Sequence, residues 1–481
     1  MHNYAHICEV TMKKVFCIIL VLLMAFTLLC ACDNSNNGKI KITIGFWPEA
    51  SQTSDIAMYN EWKENFERDY PQYEIVAEPY TYSPETVAAK GNIGALPTVF
   101  QTYFTEPEML IRERYIRPIT QQLTDIGWLD KMDDSMRATL SKDGEVYGLP
   151  RDGYGMGLFI NLEIMYDMGV IEKNADGTYK IYDDDGKPLY PTTFDQVTEL
   201  CRLVRETYID VYGILILSAN KTGGWQLCNM AWNFGAGNLQ NQDSNGVWTS
   251  NLTDPGMVKA LQWIQELASE DLCYPGASLN YNDFPAKIGM GQVLMAFVGN
   301  DALSQPITGY NFDKDNFAFV PMPTGDGTSH HALFGGTPYV FAENATDEQV
   351  EGALKFLHYI GRSPIIDDIS RAAMEKGFTV AQQKGMPILP TIKAWKNPEY
   401  LTVANEMETR YINVNYAYME DFFNTIHTMR RAEEPNFCQE MYSLLDNAIQ
   451  NVLANPNANP TSLLTTANTT FQNTYLSKMN K

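Results

Sequence analysis

The chain has 481 residues, 45% of them hydrophobic and 19% charged, and a formal net charge of −23. That length is enough for two or three domains with sizeable cores, and the composition is that of an ordinary soluble globular protein. A surface this acidic argues against nucleic acid and anionic lipid as partners.

The N-terminus departs from that composition. Lys13 and Lys14 precede an apolar run from Val15 to Leu29, and the sequence turns polar from Asp33 to Lys39. This is the form of a secretory signal peptide, with Met12 as an alternative start and a retained membrane anchor as the rival reading. Leu29, Cys30, Ala31 and Cys32 resemble a bacterial lipobox, in which Cys32 becomes the lipidated first residue after cleavage. Cys30 is the poorer candidate, because bulky Leu29 would stand just before the cut. Residues 1–31 form the leader and residues 32–38 a short polar tether. The leader carries two lysines and one glutamate, so its removal moves the formal charge from −23 to −24. Membrane association then comes from the lipid.

The remaining cysteines, Cys201, Cys228, Cys273 and Cys438, are far apart and show no C-x-x-C pairing. They read as buried thiols, with no metal or redox motif.

Residues 40–46 alternate as a first strand that ends in Trp47, Pro48 and Glu49, and in open α/β sheets that end is where ligands bind. An amphipathic helix follows over 55–70, with Trp62 assigned to its apolar face and therefore to the core. A strand at 73–77, a helix at 85–93 and a strand at 98–103 continue the alternation expected of βαβ units.

Residues 143–161, DGEVYGLPRDGYGMGLFIN, are the most distinctive stretch. Pro150 and the glycines at 153, 155 and 157 predict a strand, a crossing and a second strand, with positive φ or a close approach of the backbone to another group. A phosphate cradle is the other reading of such a cluster. The spacing is G-x-G-x-G, however, and a strand pattern follows instead of a helix N-terminus.

Beyond it come a helix at 162–168, a hairpin bounded by Asp-Gly turns to about 190, and a helix at 194–208 opened by Thr192 and Thr193. The run Asp183, Asp184 and Asp185 lacks the downstream ligands of a calcium loop and reads as a solvated turn. A strand at 212–217 leads through Gly223, Gly224 and Trp225 into a helix carrying Trp232. The helix at 258–268, opened by Thr253, Asp254 and Pro255, holds Trp263 among its packed positions. Strands at 293–298, 316–320 and 332–341 follow, and the last third is mostly helical.

Several of these segments together resemble the extracellular solute-binding proteins of family 1, the sugar-binding lipoproteins of bacterial ABC importers. Tyr147, Gly148, Leu149, Pro150, Asp152, Leu158 and Asn161 stand at that family's spacing. Residues 94–99, 248–254 with the helix after it, 291–296, and 319–323 with 335–341 are similar to it in the same order. Thr98 departs from the pattern, which has Asp there, and the hairpin at 177–190 is longer than usual.

The resemblance implies an α/β chain of two lobes in the type II periplasmic-binding-protein-like fold, each a sheet flanked by helices, with a hinge between them and a helical C-terminal region. Lobe 1 would comprise residues 39–149 and 340–395, and lobe 2 residues 150–339 and 396–481. It implies a monomeric, lipid-anchored receptor on the outer face of the cell membrane, which passes a sugar or oligosaccharide to permease subunits and needs neither cofactor nor metal. The ligand-binding candidates are Trp47, Glu49, Tyr103, Arg151, Asp152, Tyr154, Trp225, Trp232, Asn300, Asp301, Gly336 and Tyr339. Aromatic faces stack on the apolar C–H patches of a pyranose, and carboxylates, amides and Arg bond its hydroxyls. The rival classes are a secreted carbohydrate-active enzyme, which needs two carboxylates at one sugar bond, and a sugar-sensing co-receptor. No G-x-S-x-G or helical zinc spacing favours an enzyme.

Overall fold

The computed structural model describes residues 38–480. The leader, Cys32 and most of the tether lie outside the described residues.

Nine strands make the principal sheet. They are β1 (Ile40–Ile44), β2 (Tyr73–Ala77), β3 (Val99–Gln101), β4 (Gly148–Asn161), β5 (Tyr212–Leu215), β6 (Val293–Gly299), β7 (Phe317–Val320), β8 (Ala332–Phe341) and β9 (Arg430–Ala432). The hydrogen-bonded path runs β2-β1-β3-β8-β4-β6-β5, with β7 paired to β4 and β9 to β8. The helices that concern the site are α1 (Thr53–Asp69), α2 (Phe194–Thr207), α3 (Thr222–Asn233), α4 (Pro255–Ser269), α5 (Asp347–Tyr359), α6 (Asp368–Gln383), α7 (Pro398–Tyr411) and α8 (Cys438–Ala454).

β4 is one continuous strand of 14 residues where the sequence predicts two strands with a crossing between them. Its first half pairs antiparallel with β8 from Gly148 to Gly155, and its second half pairs with β6 on one edge and β7 on the other. Pro150 does not end it, because Pro150 lies opposite Pro338 where the register shifts between Thr337 and Pro338. Thr337 faces Asp152 and Pro338 faces Pro150, so Arg151 is left over as a bulge. A bulge tolerates proline and re-aims the side chain beside it.

Gly153, Gly155 and Gly157 hold extended backbone, with no positive φ. Side chains crowd them instead. A Cβ on Gly153 would lie 2.7 Å from the Phe334 ring, one on Gly155 2.5 Å from Ile426, and one on Gly157 2.6 Å from Phe319. The close approach that the glycines predict is therefore largely made by the core itself.

Both faces of β4 are covered. Met156, Leu158 and Ile160 join the hydrophobic cluster that includes Val197 of α2, Leu261 of α4 and Leu445 of α8. Phe159 belongs to a second cluster with Phe317, Phe284 and the residues packed around β1. Strands buried on both sides read as near-continuous apolar runs, as the second half of β4, β6 and β7 do.

Of these eight helices, α2, α4, α5 and α6 open on a local side-chain cap. Thr193 and Gln196 form a capping box on α2, and Asp254 caps α4 ahead of Pro255. α3 has no local side-chain cap, and Lys221 before it is left-handed at φ 72°. Asp446 of α8 supplies the cap from 222 residues away, accepting from Lys221 N at 2.5 Å and Gly224 N at 2.8 Å. Gly224 permits this closeness, since a Cβ there would sit 2.3 Å from the Tyr442 carbonyl oxygen.

The four described cysteines are buried and unpaired. Among the described residues no helix is long and apolar enough to cross a membrane.

Candidate functional site

Two cavities meet at Asp301, where β6 ends. The first, about 290 Å³, is bordered by Tyr103, Tyr154, Trp225, Tyr281, Glu433 and Tyr442. The second, about 560 Å³, is bordered by Tyr59, Trp62, Arg151, Asp152, Arg362 and Tyr400.

Tyr154 projects from β4, and two glycines make room for its ring. A Cβ on Gly335 would lie 2.3 Å from its hydroxyl, and one on Gly299 3.0 Å from its ring. Trp225 stands at the start of α3 and meets Tyr154 edge-on at 6.0 Å and Tyr281 at 5.7 Å. The three rings fix one another in edge-to-face contacts, which suit aromatic quadrupoles. Opposite them, Glu433 follows β9 and accepts from the Tyr442 hydroxyl at 2.8 Å. Burial pushes its carboxyl up to about 8. Asp301 is also raised by burial, to about 6, with the Asp152 carboxylate adding to the effect.

In the second cavity the bulge at Arg151 sets the charged floor. Arg151 Nε donates to Asp152 Oδ2 at 2.7 Å. Asn300 ties β6 to β4 by accepting from Gly155 N at 2.8 Å, which holds Asp301 between the cavities. Tyr59 and Trp62 of α1 lie 5.1 Å apart ring to ring and form an aromatic wall. On another wall Lys393 pairs with Glu408 at 2.5 Å.

Of the candidate ligands, Tyr103, Tyr154, Trp225, Asp301 and Gly336 border the first cavity, and Arg151, Asp152, Asn300 and Asp301 the second. Four lie off both linings. Trp47 is buried behind Tyr59 at 5.2 Å, and Glu49 is exposed in the turn after β1. Trp232 is wholly buried with the Arg431 guanidinium 4.3 Å over its ring, and Tyr339 is buried against Phe46.

Trp62, which helical spacing assigns to the core, is half-buried on the second cavity. Helical periodicity marks an apolar face without saying whether packed atoms or a cleft lie against it. Tyr59 shares that face and was missed for the same reason. Tyr281, Arg362, Tyr400 and Glu433 lie in segments that carry no motif.

The sequence pattern of the bacterial extracellular solute-binding proteins matches residues 61–373. The arabinooligosaccharide-binding protein of Bacillus subtilis (strain 168) is 22% identical over 461 residues, covering 86% of this chain and 93% of that protein. Among solved structures, an ABC transporter solute-binding protein of Thermotoga lettingae bound to alpha-D-tagatose matches with a TM-score of 0.64 and 14% identity, over 92% of this chain and 99% of that one. An ABC substrate-binding protein of Listeria monocytogenes in complex with cycloalternan matches with a TM-score of 0.65 and 12% identity, over 91% and 98%. At these identities the likeness shows the fold, the mixed α/β architecture of type II solute-binding proteins. With a family pattern that spans more than half its length, this chain belongs to the bacterial extracellular solute-binding proteins.

Proposed function

We propose that the protein is a non-catalytic receptor that holds a sugar or oligosaccharide in the joined cavities and delivers it to the permease subunits of an ABC importer. The observation that carries this reading is the lining itself: Tyr59, Trp62, Tyr154 and Trp225 offer aromatic surface, while Arg151, Asp152 and Asp301 offer hydrogen-bonding groups along one cleft. The names of the relatives, an arabinooligosaccharide-binding protein and a binding protein for cycloalternan, support saccharide as the ligand class. Membership of an extracellular family gives an extracytoplasmic location. Lipid on Cys32 would hold the monomer at the outer face of the membrane.

On the proposed division into lobes, residues 39–149 and 340–395 against 150–339 and 396–481, the lining comes from both. Tyr59, Tyr103 and Arg362 belong to the first lobe, and Arg151, Trp225 and Asp301 to the second.

The test is thermal unfolding of the soluble chain with arabino-, xylo-, malto- and chito-oligosaccharides. A ligand at 100 times its Kd adds about 2.7 kcal/mol to stability, a readily measured shift. Absence of any shift across the set, extended to acidic oligosaccharides, would overturn the saccharide reading. Asp301 and Glu433 border one cavity as a pair of carboxyls with raised pKa, so reducing ends are measured in the same incubations. Their release would favour a carbohydrate-active enzyme.

A further inference from the structure

The charges that border the second cavity do not balance in pairs. Arg151 is matched to Asp152 and Lys393 to Glu408. Arg362 is solvent-exposed on the same cavity, and among the described residues its guanidinium has neither a carboxylate within ion-pair distance nor a hydrogen-bond acceptor. The charged groups that act on it are Arg151, which repels it, and Asp152, which is already engaged; the remaining carboxyl on this lining, Asp301, makes no ion pair with it.

Its backbone is fixed in that position. α5 ends at Tyr359, Gly361 turns the chain at φ 74°, and Arg362 N donates back to the Leu357 carbonyl at 2.8 Å. Ser363, next along, is buried and bonded to His358 Nδ1 at 2.8 Å. A cation just past a helix C-terminus also complements the helix dipole, which accounts for its sign. The dipole does not account for a second guanidinium over the same space. A planar fork of donors with no internal acceptor, next to a second such fork with an idle Nη2, matches the geometry of an oxyanion.

We infer that the ligand of this cleft carries an oxyanion, a carboxylate or a phosphate ester on the saccharide, and that Arg362 and Arg151 hold it in the second cavity. The inference rests on the saccharide reading and narrows it to acidic sugars. The anion would separate two like charges that otherwise repel, while Tyr59, Trp62 and Tyr400 pack against the ring that bears it.

The test compares acidic oligosaccharides with neutral counterparts by calorimetry on the intact mature chain. Oligogalacturonates are set beside their methyl esters, glucuronic-acid-bearing xylo-oligosaccharides beside plain ones, and glucose 1-phosphate beside glucose and inorganic phosphate. The tightest ligand is expected to be acidic, at least tenfold tighter than its neutral counterpart, with an affinity that falls as salt rises. The uronate and phosphate arms separate the two sources of charge. Arg362→Gln is expected to reduce the acidic-to-neutral preference at least tenfold, and Arg362→Lys to keep part of it. A neutral oligosaccharide as the tightest ligand, or a preference unchanged in Arg362→Gln, would overturn the inference and leave the saccharide reading standing. Binding of no sugar, acidic or neutral, would overturn both.

Discussion

Trp225 and Trp263 are 9% and 5% exposed, yet of the two only Trp225 borders one of the two joined cavities. Trp263 is enclosed in the middle of α4, its Nε1 donating to Thr198 at 2.9 Å and its ring 4.8 Å from Phe194. Truncating such a ring leaves a void and an unused acceptor. Trp263→Ala should therefore cost about 3 to 5 kcal/mol of stability, with ligand affinity unchanged in the molecules that stay folded. Trp225 touches Tyr154 and Tyr281 on one side and the first cavity on the other, so less packing is lost with it. Trp225→Ala should weaken saccharide binding at least tenfold, about 1.4 kcal/mol, with a smaller loss of stability than Trp263→Ala. Unfolding curves and titrations of both variants decide the matter. Equal affinity in Trp225→Ala and the parent would remove the first cavity from the binding site.

α3 holds Trp225 in place, and what holds α3 is not in its own sequence. Its cap is Asp446 on α8, and its fit against α8 depends on Gly224, where a Cβ would lie 2.4 Å from the Tyr442 Cα. Backbone cannot give way as a side-chain tip can. Gly224→Ala should therefore push the helices apart, costing roughly 1 to 3 kcal/mol, and weaken binding by displacing Trp225. Gly309→Ala is the control, because a Cβ there meets nothing within 4 Å and the residue borders neither cavity, and it should be neutral or slightly stabilising. If Gly224→Ala unfolds like the parent, the close packing of α3 on α8 is not what seats the tryptophan. The contrast also marks what a sequence can disclose. Thr193 on α2 and Asp254 on α4 are legible because cap and helix are adjacent, and 332–341 is legible because its apolar run is bounded by local turn signals. β4 was harder to read: proline and glycine look like interruptions until a partner strand supplies the bulge and large side chains fill the glycine faces. Asp446 and Arg362 act across hundreds of residues, and no local pattern announces either role.

The acidic charge of the whole chain and its few misfit carboxyls act in the same direction. Glu433 is held up at about 8 and Asp301 at about 6, both mainly by burial, against ordinary values of 4.5 and 3.8. In each case the folded state binds a proton more readily than the unfolded state, so stability falls as pH rises between the ordinary value and the raised one. The ceiling is about 1.4 kcal/mol per pH unit for each such group. Glu106 and Glu434, also raised by burial, add to the trend, and repulsion within a chain of net charge −23 grows with it. His331, lowered by burial, opposes it below about 6.5, since its proton is then bound more readily by the unfolded chain. Asp326 is lowered by the hydrogen bonds it accepts from Ser329 and Thr328, despite the cost of burial, so its contribution is lost as pH falls below 3.8. The ligand-free protein should thus be most stable near pH 4 to 5 and lose stability steadily up to about pH 8. Denaturant unfolding at half-unit intervals of pH measures the slope. Glu433→Gln, which keeps an acceptor for the Tyr442 hydroxyl and cannot ionise, should flatten the slope between pH 6 and 8. A parent curve that is level or rising over that interval would mean that the Glu433 carboxyl is hydrated and ionised at neutral pH.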